Sequence, residues 1–497
     1  MCREVFTSLA PVEFPVKEDI PVARTSSKFV RTQDKKTFRK TGHIVATCAA
    51  LGCVVGLGAT QALAADDNVE TSSPSIFSGL VDYLNGPGVP GPLAPLGEKL
   101  HEVGITPRIS MLNILLANPS MGQETGKHER VTIFNLGFDT DLEKLVGLPG
   151  STVRFQSLYV PDPFNIGTFG AAAGDSFIGH SGPYIPKQWH LNQLTFEQKL
   201  FDDRFEAAFG VDNAGNYFGK ALCNQSFLCQ GASLQDGVGM NPPPYSNWSA
   251  RASYDLTPEW TAQVGFWRDN SAFPFSTGWE GWSGSVTAPN GAKIVDPNSS
   301  LYLANLVYET TAQTDLYPKR YEAMLYYNDA EQTNPNTGEK HDGTSGIYIG
   351  GRQTVWRQDE TPTSTSLSLY ASMYASFDQD NSFGLGSEVD AGVILQGPFE
   401  SRPFDSYSLK FAWNHLTDDE QSYLEAQNTG TYTVGPDQFM MGVDANFMLA
   451  GNTIVQPWAN YTWNVNTFEN PSYSGDPDDG FSVGVNMVLL LDKALGL

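Results

Sequence analysis

Residues 247–267 read NWSARASYDLTPEWTAQVGFW. Taken in twos, Trp248, Ala250, Ala252 and Tyr254 fall on one face, and Asn247, Ser249, Arg251, Ser253 and Asp255 on the other. After Leu256-Thr257-Pro258, Trp260, Ala262, Val264 and Phe266 alternate in the same way with Thr261, Gln263 and Gly265. Successive side chains of a strand point to opposite faces, so the stretch predicts a hairpin with one apolar face and one polar face. Trp248, Ala250, Ala252, Tyr254, Val264 and Phe266 belong to the first; Arg251, Gln263 and Trp267 belong to the second.

Working outward, the same rhythm predicts strands near residues 106–117, 131–139, 151–160, 188–200, 203–212, 246–255, 259–268, 300–310, 319–328, 346–356, 364–377, 386–397, 404–414, 438–449, 452–464 and 480–491. That makes sixteen. Their connections alternate in kind. Phe201–Asp202, Leu256–Pro258, Arg357–Pro362 and Ala450–Gly451 are brief, whereas 161–187, 213–245, 269–299 and 415–437 are long and polar. An even strand number with short turns at one end and long loops at the other describes an antiparallel outer-membrane β-barrel. Aromatic residues recur near strand ends, as interfacial girdles would place them; a soluble sandwich would instead put them in its core, since its strands alternate too. Residues 65–105 do not alternate and carry Pro87, Pro90, Pro92 and Pro95. They predict a short, partly helical N-terminal segment, periplasmic or folded into the barrel mouth, ahead of a barrel domain spanning 106–497.

Composition narrows the class. Of 497 residues only 17% are charged, 12% are aromatic and 40% are hydrophobic, which excludes a helical membrane protein, a collagen-like chain and a charge-rich disordered one. No window after residue 65 offers about 18 uncharged apolar residues, the minimum for a membrane-spanning helix. The first 64 residues hold nine of the 30 Lys/Arg and five of the 55 Asp/Glu, leaving 21 against 50 in the rest. So acidic a chain repels phosphate backbones, and no nucleic-acid partner is expected.

Lys35, Lys36, Arg39 and Lys40 precede an uncharged apolar stretch from Ile44 to Leu57, followed by Ala62-Leu63-Ala64. This is the layout of an export signal cleaved after Ala64, making 1–64 an extended leader unless the true start lies near Val30. The apolar run continues past Cys53, which argues against a lipid anchor there. Of five cysteines only Cys223 and Cys229 lie beyond the leader. In an oxidising compartment they predict a local disulfide within the loop 213–245, with two free thiols as the alternative.

Several passages together resemble the carbohydrate-selective porin family typified by OprB. DTDLEKLVGLPG (139–150), followed by STVRFQSLYV, is similar to an early turn and strand of that family, and LTFEQKLFDDRFEAAFG (194–210) to its tight hairpin. LCNQSFLCQ (222–230) resembles its cysteine-bearing loop, NWSARASY (247–254) a Trp-Gly-x-Arg strand, and IVQPWANYTWN (454–464) its penultimate strand. The resemblance runs over most of 96–491. Ser249 departs from it where Gly is expected, no Trp-Gly-Gly precedes KLHEVGI, and the last residues read LLLDKALGL with no terminal aromatic. The family implies an outer-membrane channel of a Gram-negative bacterium that passes small neutral sugars by facilitated diffusion. It also implies contact with outer-membrane lipid and insertion by the barrel-assembly machinery, and it leaves a homo-oligomer open. A general or cation-preferring porin is the alternative within the class. A soluble secreted sugar-binding β-protein or a hydrolase is the alternative outside it.

No catalytic constellation stands out. The histidines at 43, 101, 128, 180, 190, 341 and 415 have no metal-ligand spacing, and there is no nucleophile elbow or phosphate-cradling glycine loop. The expectation is a protein that is not an enzyme and has no metal and no cofactor. The polar strand faces say more. Arg154 follows the turn at Gly150, Glu197 and Glu206 flank the turn at Asp202, and Arg251 precedes the turn at Leu256. These four therefore fall at comparable depth on four consecutive strands about 4.8 Å apart, where they can form one charged patch on an inner wall or merely an ion-pair ladder that stiffens it. Trp267, Tyr370, Tyr374 and Trp458 share the polar faces, where a ring gains nothing from lipid and can stack on the C–H face of a pyranose.

Overall fold

The computed structural model describes residues 91–497 apart from 162–167, 179–187, 224–232, 270–274, 281–285, 288–292, 296–298, 362, 379–383, 429–432, 450 and 474. The leader and most of the segment 65–105 therefore lie outside the described residues. The strands are β1 (Ile105–Asn118), β2 (Lys127–Asp141), β3 (Ser151–Tyr159), β4 (Trp189–Leu200), β5 (Phe205–Asp212), β6 (Asn247–Asp255), β7 (Trp260–Asp269), a two-stranded loop hairpin of β8 (Val286–Thr287) and β9 (Lys293–Val295), β10 (Ser299–Glu309), β11 (Lys319–Thr333), β12 (Lys340–Arg357), β13 (Ser366–Ser376), β14 (Leu385–Gln396), β15 (Ser406–Leu416), β16 (Asp437–Leu449), β17 (Thr453–Trp463) and β18 (Gly480–Leu490). All but β8 and β9 join in one closed barrel, each pairing with its sequence neighbours and β1 closing on β18 from Ser110↔Leu490 to Ala117↔Val483. Lipid offers no hydrogen bonds, so closure is what satisfies the edge backbone groups.

The sixteen expected strands are the sixteen barrel strands. The structure adds length at the long-loop end, where β11 and β12 run on past their expected limits through a bulge between Asn328 and Glu331. Outward faces are apolar: Phe196, Phe209, Val264, Leu325, Leu409 and Val443 are among the exposed large hydrophobics. Aromatic residues gather toward both ends. Trp260, Tyr308 and Tyr321 sit beside the short turns, with neighbouring rings 5.0 and 6.2 Å apart. Tyr159 and Trp189, 4.5 Å apart, sit at the long-loop end with Tyr302 and Tyr327, 6.2 Å apart. Amphipathic rings belong at a membrane interface, so these mark its two levels.

The last described part of the N-terminal segment is a helix, Ala94–Glu102, at the short-turn end. It docks on a C-terminal helix, Leu491–Leu495, with the Leu93 amide donating to the Leu495 carbonyl at 2.8 Å. Gly97 lies so close to Gly496 that a Cβ there would stand 2.2 Å from its carbonyl oxygen.

Candidate functional site

The turns that aim the charged side chains have clear local causes. Asp141 caps the single helical turn Leu142–Val146, accepting from the amides of Glu143 (2.9 Å) and Lys144 (3.2 Å), and Gly147 ends it at φ 75°. Gly150, at φ 64°, then starts β3, which carries Arg154 on its inner face. The turn between β4 and β5 holds Phe201, Asp202 and Asp203 all at positive φ, a tight reversal that the two aspartates tolerate best. It places Glu197 and Glu206 on the inward faces of adjacent strands.

The four predicted charged residues meet. Arg154 Nε donates to Glu197 Oε2 at 2.9 Å, Arg251 Nη2 to Glu197 Oε1 at 2.9 Å, and Arg251 Nη1 to Glu206 Oε1 at 2.6 Å. Glu197 and Arg251 are two strands apart, each in register with Ala208 on β5. The small Ala208 side chain leaves room for the guanidinium to reach across. The ladder continues through residues not singled out from the sequence: Arg154 Nη1 lies 3.8 Å from Asp139, Arg108 Nη2 is 2.9 Å from Asp139, and Arg108 also donates to Gln193 Oε1 at 2.9 Å. Further round the wall, Arg320 bridges Glu309 (2.6 Å) and Glu322 (2.9 Å), and Lys410 pairs with Asp390 at 3.0 Å. All of these occupy inward strand positions, so the alternation that identified Arg154 and Arg251 would have found them had it been carried round the whole barrel.

The connection between β5 and β6 folds inward against this wall. Tyr217 lays its ring 3.9 Å from the Arg251 guanidinium carbon and donates its hydroxyl to Asp212 at 2.5 Å. Phe218 meets Trp267 edge-on with centroids 5.5 Å apart, and the Gly219 amide donates to Glu322 Oε1 at 2.9 Å. Leu222 packs with Tyr370 and Ile394, and Ser233 donates to Glu388 at 3.0 Å. The described residues of this connection thus touch the inner wall from β5 as far as β14. Cys223 is disulfide-bonded; its expected partner, Cys229, lies outside the described residues.

That path changes the reading of the four rings. Trp267, Tyr370, Tyr374 and Trp458 do project inward, but they are 1%, 5%, 1% and 5% exposed. Trp267 lies behind Phe218, Tyr370 behind Leu222, and Tyr374 stacks on Tyr326 with their hydroxyls 2.9 Å apart. Trp458 covers Gly484. The expectation of open stacking faces is corrected here: in this structure the rings serve as backing for inward-folded segments. Nothing periodic marks those segments, so no pattern in the residues announces what covers the rings.

A model of the carbohydrate-selective porin, OprB family, matches residues 132–464, about two thirds of the chain. The chain belongs to the OprB family. It is similar to Porin B of Pseudomonas aeruginosa, 24% identical over 467 residues covering 88% of this chain and 96% of that one. In fold it is similar to a structure of Pseudomonas putida OprB obtained at high pH, with a TM-score of 0.64 at 20% identity, covering 79% of this chain and 95% of that one. This OprB-family member is accordingly an outer-membrane β-barrel channel of a Gram-negative bacterium, selective for carbohydrates. The short turns are therefore periplasmic and the long loops extracellular.

Proposed function

We propose that small neutral sugars cross this channel by facilitated diffusion along the ladder Arg108–Asp139–Arg154–Glu197–Arg251–Glu206, with no catalytic step, and that the buried rings do not touch them. One observation carries the reading: every guanidinium of the ladder is neutralised by a carboxylate, yet the Arg154, Glu206 and Asp139 side chains remain 33%, 20% and 19% exposed. Such a wall offers neither sign of ion a continuous favourable path. It does offer a polyol alternating donors and acceptors to replace its water hydrogen bonds. A transported solute must also leave, so binding is weak, about millimolar or roughly −4 kcal/mol. Insertion by the barrel-assembly machinery accompanies this reading.

The test is single-channel conductance with and without glucose. Arg251→Ala removes the bridge between Glu197 and Glu206, leaving Glu206 without its cation at the lumen and Glu197 held by Arg154 alone. Cation conductance is expected to rise and glucose block to weaken by about tenfold, the equivalent of roughly 1.4 kcal/mol. If Arg154→Ala, Glu197→Ala and Arg251→Ala all leave ion selectivity and glucose block unchanged, the ladder only stiffens the wall.

A further inference from the structure

Lys220 is the ladder's opposite in one respect. Arg108, Arg154, Arg251, Arg320 and Lys410 each have a carboxylate oxygen within 3.0 Å. Lys220 makes no hydrogen bond or ion pair among the described residues, and its side chain is exposed. It nevertheless stands deep inside the barrel, within electrostatic reach of Arg320, Glu309, Glu322 and Arg251, so the water it faces is that of the lumen. Its backbone is held. The three residues before it are fixed to the wall: Tyr217 against Arg251 and Asp212, Phe218 against Trp267, and Gly219 on Glu322. Just beyond it, Leu222 is buried with Tyr370. A flexible ammonium on a rigid mount, between two neutralised stretches of wall, is placed to meet a solute.

From this geometry we infer that Lys220 is a specificity-determining residue that lets the channel take monocarboxylated sugars, the sugar acids, in addition to neutral ones. The inference rests on the ladder reading for the hydroxyl contacts and adds the carboxylate contact. The chemistry selects a monoanion bearing hydroxyls. Lys220 supplies a single point charge, not a fork of donors, so a phosphate dianion would be under-neutralised. Glu309 and Glu322 outweigh the Arg320 between them by one negative charge, which offsets the ammonium at longer range, so a small inorganic anion gains little. A sugar acid gains the ammonium contact and keeps its hydrogen bonds to the ladder.

The experiment compares glucose and glucuronate as blockers of single-channel current through the full-length mature protein in detergent-free bilayers. In the unmodified channel glucuronate is expected to block more strongly than glucose. Lys220→Gln should lower the glucuronate-to-glucose ratio of block by about tenfold, the scale of one contact between opposite charges in a partly screened site. Lys220→Arg should restore most of it. Retained heat-modifiable migration on gels checks that each variant is folded. If glucose blocks but glucuronate blocks no better, or if Lys220→Gln leaves the ratio unchanged, the inference fails while the sugar-channel reading stands. If neither sugar blocks the unmodified channel, the ladder reading itself fails and takes the inference with it.

Discussion

The wall beneath the segment Thr168–Ile178, from β15 through β18 to β3, and the wall carrying the ladder, from β1 to β6, overlap in β1–β3 and share one pleat, yet they hold their interiors together by opposite means. In the first, Leu112, Ile114, Val131, Ile133, Met440, Ile454 and Val488 turn inward and are buried in one cluster with Phe169, Phe177 and Ile178. The Ser176 hydroxyl ties that segment to the wall, donating to Gln438 and accepting from Asn414, and accepts as well from Asn466 of the β17–β18 connection. In the second, inward positions are Arg and Glu, joined by charge-assisted bonds and left partly open to water. A barrel interior is thus not uniformly polar. Where the Thr168–Ile178 segment is packed against the wall by burial, the inner face is largely apolar. Where the inner face meets passing water, it is charged and self-neutralised.

This contrast says how each half should break. Leu112 is 1% exposed within its cluster. Leu112→Ala should cost about 2–5 kcal/mol in unfolding free energy. Leu112→Asp adds an unpaired carboxylate to an apolar site and should abolish recovery of a folded, heat-modifiable barrel. Neither effect depends on conduction. A Leu112→Asp barrel that folds normally would mean that this half of the interior is wet, and the contrast would collapse.

Trp267 sits where the two means meet, a ring on the charged half that is covered by a loop. Trp267→Ala should destabilise by about 3–5 kcal/mol, as for other buried aromatic truncations. It should also raise conductance, because Phe218 loses its support. Urea unfolding and bilayer recordings measure the two effects on one variant. Weaker glucose block without loss of stability would mean that the ring touches the solute after all.

What could be read in advance divides along the same line. Strand parity identified the sixteen strands and brought Arg154, Glu197, Glu206 and Arg251 together, because alternation and turn position fix both face and depth. Parity does not tell the inner face from the outer where both are apolar, as in β1, whose ISMLNILLAN offers little contrast between its two sides. Residues such as Tyr217 and Lys220 have no period at all. Their positions follow from where a loop lands, which depends on what it finds to bury or bond on the far wall.

The smallest effect expected is one of pH, on the packing of the extracellular loops against each other. Helix Asp418–Gln427 lies in the connection between β15 and β16, and Thr417 caps it by accepting from the Glu420 amide at 3.2 Å. The Glu420 carboxyl is fully buried, with the Phe468 ring and Glu420 converging on Gly384. Burial, and then Asp236 from the inward-folded β5–β6 connection, push its pKa up to about 8 from an ordinary 4.5. Glu469 and Asp175, from two further loops, belong to the same group of acids, and Tyr423 faces it from the same helix. An acid whose folded pKa is raised binds more protons folded than unfolded. Its burial therefore costs nothing below about pH 4.5, and stability falls as pH rises from there to about 8, where the loss levels off. Hydrogen exchange of the helix amides, corrected for the intrinsic pH dependence, should show protection declining over that window. Glu420→Gln should flatten the decline while leaving the barrel strands unaffected. If the glutamine variant keeps the same slope, the loop packing does not depend on a protonated Glu420, and the cohesion of the extracellular face comes from its apolar contacts alone, Leu385, Leu416, Tyr423, Leu424, Val434 and Phe468.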